Sequence, residues 1–262
     1  MTPHWTEHRA DLQRWLITSP RILLGCDFDG TLSPLVSHAS EAELPDPARQ
    51  AIERLKSLPG VVLAIISGRA LADVQRRVGI KGVLYSGNHG LELLAPNGTE
   101  TVAPHAGDAQ ARLREVLGEL ERVLPHVPGV WIEDKHWTAS VHYQLAEADQ
   151  HELVGQIVKA VLEGVKELSL RQGKRTWEIR PAGNWNKGTA LMCFMEQCDI
   201  PSRATAFVGD DVTDFDAFAV LPDGWACVVG DTASVAARVR LRDPDDTANM
   251  LAWMADVRFS SF

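Results

Sequence analysis

The sequence has no basic run longer than the pair Arg76-Arg77, no apolar run of bilayer length and only four cysteines. Each scarcity excludes something. With 35 acidic residues against 26 basic ones, the net charge is -9. That argues against a general nucleic-acid binder, which needs a basic surface to meet the phosphate backbone. A small anionic substrate stays open, because a metal ion and a few local cations can reverse the field inside one pocket. No apolar stretch approaches the roughly 20 residues that span a bilayer, so no membrane partner is expected. Cys26, Cys193, Cys198 and Cys227 do not stand at metal-ligand or redox spacing and read as small buried side chains under reducing conditions. The segment Met1 to Glu7 lacks a cationic start followed by an apolar core. No secretory leader is therefore expected, and a cytoplasmic location is. There remain 262 residues, 45% of them apolar, which suit one large domain or two modest ones.

What is present is a series of apolar strand-like runs closed by polar motifs. Residues 5 to 17 read as a helix leading into a buried strand, Ile22 to Cys26, which runs directly into Asp27-Phe28-Asp29-Gly30-Thr31-Leu32. Pro47 opens a helix through Leu58. Val61 to Ile66 is a second, β-branched strand ended by Ser67-Gly68-Arg69; Ala70 to Val78 is helical and Val83 to Tyr85 is a third strand. This alternation is that of a parallel sheet with helical crossovers.

The middle of the chain differs. Leu91 to Leu94 and Glu100 to Val102 flank the turn Pro96-Asn97-Gly98, a hairpin signal. A helix over 107 to 124, strands Val130 to Glu133 and Ser140 to Leu145, a helix Asp149 to Glu163, and strands Glu167 to Arg171 and Arg175 to Ile179 follow. They suggest an antiparallel sheet with helices on one face. After Pro181 the parallel pattern returns, with a helix Lys187 to Gln197 and a strand Ala204 to Val208 ending in Gly209-Asp210-Asp211. A helix Thr213 to Ala219, a strand Ala226 to Val229 and helices Ala233 to Val239 and Thr247 to Phe259 complete it. The simplest organisation is a core domain of residues 1-103 and 181-262 interrupted by an inserted domain, 104-180.

In open parallel sheets chemistry sits beyond the carboxyl ends of the strands. Asp27 with Asp29, Ser67-Gly68-Arg69, and Asp210-Asp211 with Asp214 all fall there, while Lys187 opens a helix. A single acidic pair after a strand is more often a solvated turn or a helix cap. Two such clusters in one sheet argue instead for phosphoryl transfer to water. Asp27 and Asp210 can point oxygens at one hard cation, Mg2+, with the Asp29 carbonyl as a further ligand. Asp27 can attack phosphorus, and Asp29 can protonate the leaving alkoxide and then activate water. Asp211 and Asp214 can bind metal waters or orient Lys187. Thr31, Ser67 and Lys187 can donate to phosphoryl oxygens, and Gly30 allows the tight turn. Ser67 can also cap the helix that follows, and Arg69 suits either phosphate or a surface acid. A lysine in a first helical turn opposes the dipole, which favours a specific partner for Lys187.

The runs Asp27 to Leu32, Ser67-Gly68-Arg69, Lys187-Gly188 and Gly209-Asp210-Asp211-Val212-Thr213-Asp214, in that order, resemble the four motifs of the haloacid dehalogenase superfamily. The resemblance implies a Rossmann-like parallel-sheet α/β core with an inserted α/β cap of antiparallel sheet plus helices. It also implies Mg2+ held by Asp27, Asp29, Asp210, Asp211 and Asp214, and an aspartyl-phosphate intermediate on Asp27. More closely, Ser86-Gly87-Asn88-His89-Gly90-Leu91-Glu92, Glu133-Asp134-Lys135, His142-Tyr143 and Trp177-Glu178-Ile179-Arg180-Pro181 resemble the trehalose-6-phosphate phosphatase family. That likeness implies that Glu133, Lys135 and Glu178 bind sugar hydroxyls on the cap, which covers the site. It implies that Asn88 and His89 lie near the phosphate and a glucose ring, with Thr31, Ser67, Gly68 and Arg69 around the phosphate.

The family often has Arg where Gln144 stands and usually Glu where Phe215 stands. Without the resemblance, Glu133-Asp134-Lys135 reads first as a polar turn, and Trp131, Trp137 and Trp177 as packing of the inserted sheet. The expected activity is Mg-dependent hydrolysis of trehalose 6-phosphate. The alternatives are sucrose, glucosylglycerol or mannosylglycerate phosphates as substrate, or a sensor without catalysis, against which the intact Asp27, Asp29, Lys187 and Asp210 speak. The expected partner is a small sugar phosphate, with a monomeric chain and a homodimer as the other option.

Overall fold

A computed structural model describes residues 2-36, 38-104, 106-173, 175-232 and 236-261. The chain divides into two compact units, residues 1-101 with 185-262, and residues 102-184. In chain order the elements are α1 (Arg9–Thr18), β1 (Ile22–Cys26), α2 (Asp46–Ser57), β2 (Val61–Ile66), α3 (Leu71–Val78), β3 (Leu84–Gly87), β4 (Glu92–Leu94), β5 (Glu100–Val102), α4 (Ala106–Val123), β6 (Trp131–Asp134), β7 (Ala139–His142), α5 (His151–Val161), β8 (Leu168–Gln172), β9 (Thr176–Pro181), α6 (Lys187–Cys198), β10 (Thr205–Gly209), α7 (Phe215–Ala219), β11 (Trp225–Val229), β12 (Val239–Leu241) and α8 (Pro244–Phe259).

The first unit is built on a sheet ordered β12-β11-β10-β1-β2-β3-β4-β5. From β12 to β3 every pairing is parallel, and β4 runs antiparallel to β3. Its central strands are apolar throughout, as a sheet covered on both faces requires. Side-chain alternation then sorts them. Leu24, Cys26, Leu63, Ile65, Ala206 and Val208 pack in one cluster with residues of α1, α2, α3 and α8. Leu23, Ala64, Ile66 and Phe207 pack in the other with α6 and α7.

The register positions the site. Cys26 pairs with both Val208 of β10 and Ile65 of β2, so the segments that follow these three strands leave along one edge. Asp27, Ser67 and Asp210 are the residues just past that edge.

The sequence reading placed a helix over Ala233 to Val239. Residues 233-235 lie outside the described residues, residues 236-238 are not helical, and Val239 begins β12. The reason is visible in the burial: Val239 and Leu241 are buried and Arg240 between them is not. That is a strand's period of two, carried by only three residues.

In the second unit the antiparallel sheet is ordered β6-β7-β9-β8. Val141, Trp177 and Ile179 form a core with Leu113 and Leu117 of α4 and Val154 and Val158 of α5. No helix among the described residues is long and apolar enough to cross a membrane.

Candidate active site

Asp27 is buried and its backbone N–H donates to the Val208 carbonyl at 2.9 Å, tying the start of the acidic loop to β10. The turn that follows is held by Gly30, at φ 77°. A Cβ there would lie 2.2 Å from Asp210 Oδ2, so glycine is required for the two acidic segments to approach. Thr31 is fully buried and its hydroxyl donates to Asp210 Oδ1 at 3.4 Å.

Lys187 enters from the first turn of α6. The Asn186 side chain accepts from Thr189 N and the Thr189 hydroxyl from Asn186 N, a reciprocal cap that fixes where the helix starts. The Lys187 ammonium lies 2.6 Å from Asp214 Oδ1 and 2.9 Å from Asp27 Oδ1. Asp214 is fully buried, and its other oxygen accepts the backbone N–H groups of Asp210 and Asp211 at 3.1 and 3.0 Å. Both of its oxygens are thus engaged in organising the loop and the lysine. Asp211 points elsewhere. It is exposed, and Oδ1 accepts from Val212 N at 2.7 Å as the cap of a short turn.

The electrostatics follow from burial. Desolvation pushes the Asp27 carboxyl well above the usual range, Lys187 opposes this, and Asp214, Asp210 and Asp29 add to it. Asp210 is pushed up to about 6, first by burial and then by Asp214, with Lys187 opposing. Burial works against the charge on Lys187, but Asp214 and Asp27 outweigh it and raise its pKa.

Asp27, Asp210 and Asp214 each bring one oxygen within 4.8 Å of the others. Three carboxylates face one ammonium in a mostly buried space. An all-oxygen donor set of carboxylates fits a hard divalent cation, whose charge favours their ionised form. Because Asp214 is committed to Lys187 and the backbone, Asp27 and Asp210 are the carboxylates suited to hold it.

Arg69 grips Asp29. Its Nε and one terminal nitrogen donate to Asp29 Oδ2 and Oδ1, each at 2.7 Å, and the other terminal nitrogen donates to Asp73 Oδ2 at 2.8 Å. From sequence Arg69 was open to phosphate or to a surface acid; the acids it holds are Asp29, itself a candidate site residue, and Asp73, both only partly exposed. Ser67 is fully buried; its hydroxyl oxygen accepts from Arg69 N at 3.2 Å, and it does not cap α3. That helix is served instead by Glu92, whose Oε2 accepts from Leu71 N at 3.1 Å and from Asn88 Nδ2 at 2.6 Å. Glu92 was outside the candidate site residues; only its membership of the Ser86-to-Glu92 run marked it.

Asn88 and His89 are both left-handed, at φ 49° and 57°, a rare pair for residues with side chains. Their backbone N–H groups donate to the carbonyls of Arg69 and Ser67, and a Cβ on Gly68 would lie 2.4 Å from the His89 ring. The Ser67-to-Arg69 turn and the 88-89 loop are therefore one locked piece.

In the second unit Lys135 Nζ lies 3.9 Å from Glu133 Oε2 and 3.7 Å from Glu178 Oε2. Ser140 Oγ donates to Glu178 Oε1 at 2.8 Å, and His142 Nε2 lies 2.9 Å from Glu133 Oε2. The structure thus brings together the three cap residues singled out from sequence. It adds Ser140 and His142, which cross-strand register alone could have found.

A parallel α/β sheet with acidic clusters at its carboxyl edge and an antiparallel insert is the haloacid dehalogenase architecture. A haloacid dehalogenase-like hydrolase from Bacteroides thetaiotaomicron superposes with TM-score 0.66 at 15% identity, over 88% of this chain and 98% of that one. Within that class, a profile of the Trehalose-phosphatase family matches residues 26-237, and the chain belongs to that family. The trehalose-phosphate phosphatase of Mycobacterium tuberculosis is 38% identical over 223 residues, 80% of this chain. The chain spans 55% of that relative's length. The C-terminal domain of Candida albicans trehalose-6-phosphate phosphatase superposes with TM-score 0.82 at 24% identity, over 98% of both chains.

Proposed function

We propose that this chain hydrolyses trehalose 6-phosphate to trehalose and inorganic phosphate, in the cytoplasm, with Mg2+ held by Asp27, Asp210 and the Asp29 carbonyl. The observation that carries the reading is the buried constellation of Asp27, Lys187, Asp214 and Asp210 beside Asp29, in a chain of this family. The cation, when bound, supplies charge neutralisation to the phosphoryl group and to the carboxylates around it.

The chain's own residues do the rest. Asp27 attacks phosphorus through one carboxylate oxygen. The bond from phosphorus to the sugar oxygen breaks, and Asp29 delivers a proton to that oxygen. Water then attacks the aspartyl phosphate as Asp29 takes back a proton, and phosphate leaves with Asp27 restored. Lys187 stays charged and holds Asp27 in a fixed rotamer. Asp29 must first free an oxygen from Arg69 and take up a proton there from solvent, and Asp73 offers that guanidinium a second carboxylate to hold. In the second unit, Glu133, Lys135 and Glu178 supply the paired donors and acceptors that sugar hydroxyls need once they lose water.

The test is a phosphate-release screen over purified trehalose, sucrose, glucosylglycerol and mannosylglycerate phosphates, with Mg2+, with chelator, and after add-back. Trehalose 6-phosphate is expected to be turned over fastest and chelation to abolish turnover reversibly. Asp27→Asn should lower kcat on the order of 10⁴-fold or more while leaving the fold intact. Normal turnover by that variant, or full activity in chelator, would remove the nucleophile or the metal from the reading; a preference for another sugar phosphate would reassign the substrate.

A further inference from the structure

The antiparallel sheet has two chemically different faces. Trp131 is directly opposite His142, Glu133 opposite Ser140, and Ser140 opposite Glu178. Residues facing each other across strands share a face, so these five side chains stand together. Their sequence neighbours Ile132, Val141, Trp177 and Ile179 go to the other face and join the core with α4 and α5.

On the polar face, His142 is unusually constrained for a partly exposed histidine. Its ring lies on that of Trp131 at 4.7 Å with 8° between the planes. Its Nε2 meets Glu133 Oε2 at 2.9 Å, the same oxygen that faces Lys135 at 3.9 Å. The stack fixes the plane of the imidazole, and the plane fixes the direction of the Nε2 donor. Either the neutral ring with its proton on Nε2 or the imidazolium can make this contact, so the arrangement does not depend on the protonation state.

We propose that His142, backed by Trp131, is a positioning residue for sugar recognition. It holds the Glu133 carboxylate in the orientation that accepts a hydroxyl of the sugar phosphate. The inference rests on the proposed function, and it extends the sugar-reading surface beyond Glu133, Lys135 and Glu178. A carboxylate with a settled rotamer meets a hydroxyl without first paying side-chain entropy, so removing its holder should weaken sugar binding and leave the phosphoryl chemistry alone.

The experiment uses the full chain with Mg2+ and two probes: the sugar phosphate that the wild-type protein turns over fastest, and p-nitrophenyl phosphate, which has no sugar. His142→Phe keeps a ring for Trp131 to stack on and removes the donor. Its KM for the sugar phosphate should rise up to about tenfold, as the renewed ordering of one long side chain on binding predicts. Its kcat and its turnover of p-nitrophenyl phosphate should stay near wild type. His142→Gln, which restores a donor without the ring, should recover part of the KM, and Trp131→Leu should give a smaller rise.

Lys135→Met is measured in parallel. If it raises the sugar KM and His142→Phe does not, the positioning role is wrong and the proposed function stands. If His142→Phe affects both probes equally, the residue is structural and the inference is again overturned. If the wild-type protein releases phosphate from no sugar phosphate, the proposed function itself has failed and takes this inference with it.

Discussion

Two lysines in this protein do formally the same thing and differ in nearly every physical respect. Lys187 bridges Asp27 and Asp214 at 2.9 and 2.6 Å, and the three side chains are 3%, 6% and 0% exposed. Lys135 bridges Glu133 and Glu178 at 3.9 and 3.7 Å, and these three side chains are 10%, 42% and 12% exposed. Water cannot solvate the first set, so its charges must satisfy one another at contact distance. The second set sits at longer range and opens to solvent on its Glu133 side, where a sugar hydroxyl can come between the charges. The first arrangement suits fixed chemistry on a small, invariant group, and the second suits recognition of a hydroxyl-rich one.

The hardest test of that contrast is Lys187→Met. Removing one partner of a buried ionic set leaves the others uncompensated and costs roughly 3-5 kcal/mol. Lys187 has its pKa raised, so in wild type its contribution is fully present below the ordinary lysine value and is constant between pH 5 and 8. Asp27 is already raised by burial. An acid with a raised folded pKa costs stability as pH climbs from its unfolded value through its folded one. Without the lysine this cost grows. The variant's deficit in Tm should therefore be larger at pH 8 than at pH 5, with turnover lost at both. A deficit that does not depend on pH would mean that the lost lysine packing, not the stranded acids, dominates.

This contrast also governs what the sequence could reveal. Asp27, Asp29 and Asp210 follow hydrophobic strands immediately, so a local run of about six letters exposes both strand and acids. The central strands and the parallel class are legible for the same reason. Asp214 was visible as an acid, but its commitment to Lys187 and to two backbone N–H groups depends on the turn between Asp211 and Asp214. Arg69 was visible as a cation, yet its bidentate hold on Asp29 joins residues forty apart. On the antiparallel sheet the neighbours Trp131, His142, Ser140 and Glu178 come from three strands. No single window holds them, and a slip of one residue in register would separate them all. The strand Val239–Leu241 failed for a simpler reason, since three residues are too few to establish a period.

A middle-sized effect should come from metal and pH together. In the metal-free protein burial pushes Asp210 up to about 6 and Asp27 well above the usual carboxylate range. Binding of a cation must expel the protons this favours, so affinity falls as pH drops. A hundredfold excess of Mg2+ over its Kd stabilises the fold by about 2.7 kcal/mol. The gain in Tm between chelated and Mg2+-loaded protein should then be plain at pH 7.5 and small at pH 5. An equal gain at both values would take Asp27 and Asp210 out of the metal set.

The smallest effect on stability should come from the other lysine. Lys135→Met removes two charge contacts longer than hydrogen bonds, to Glu133 at 42% exposure and Glu178 at 12%, and these contribute less than the contact-distance set around Lys187. Tm should scarcely move, and p-nitrophenyl phosphate turnover should stay at the wild-type level. Under the proposed function the KM for the sugar phosphate should nevertheless rise about tenfold, because a donor for a sugar hydroxyl is lost. A large fall in Tm would show that Lys135 is bound into its sheet as Lys187 is bound into its core, and the division between fixed chemistry and exchangeable recognition would not hold.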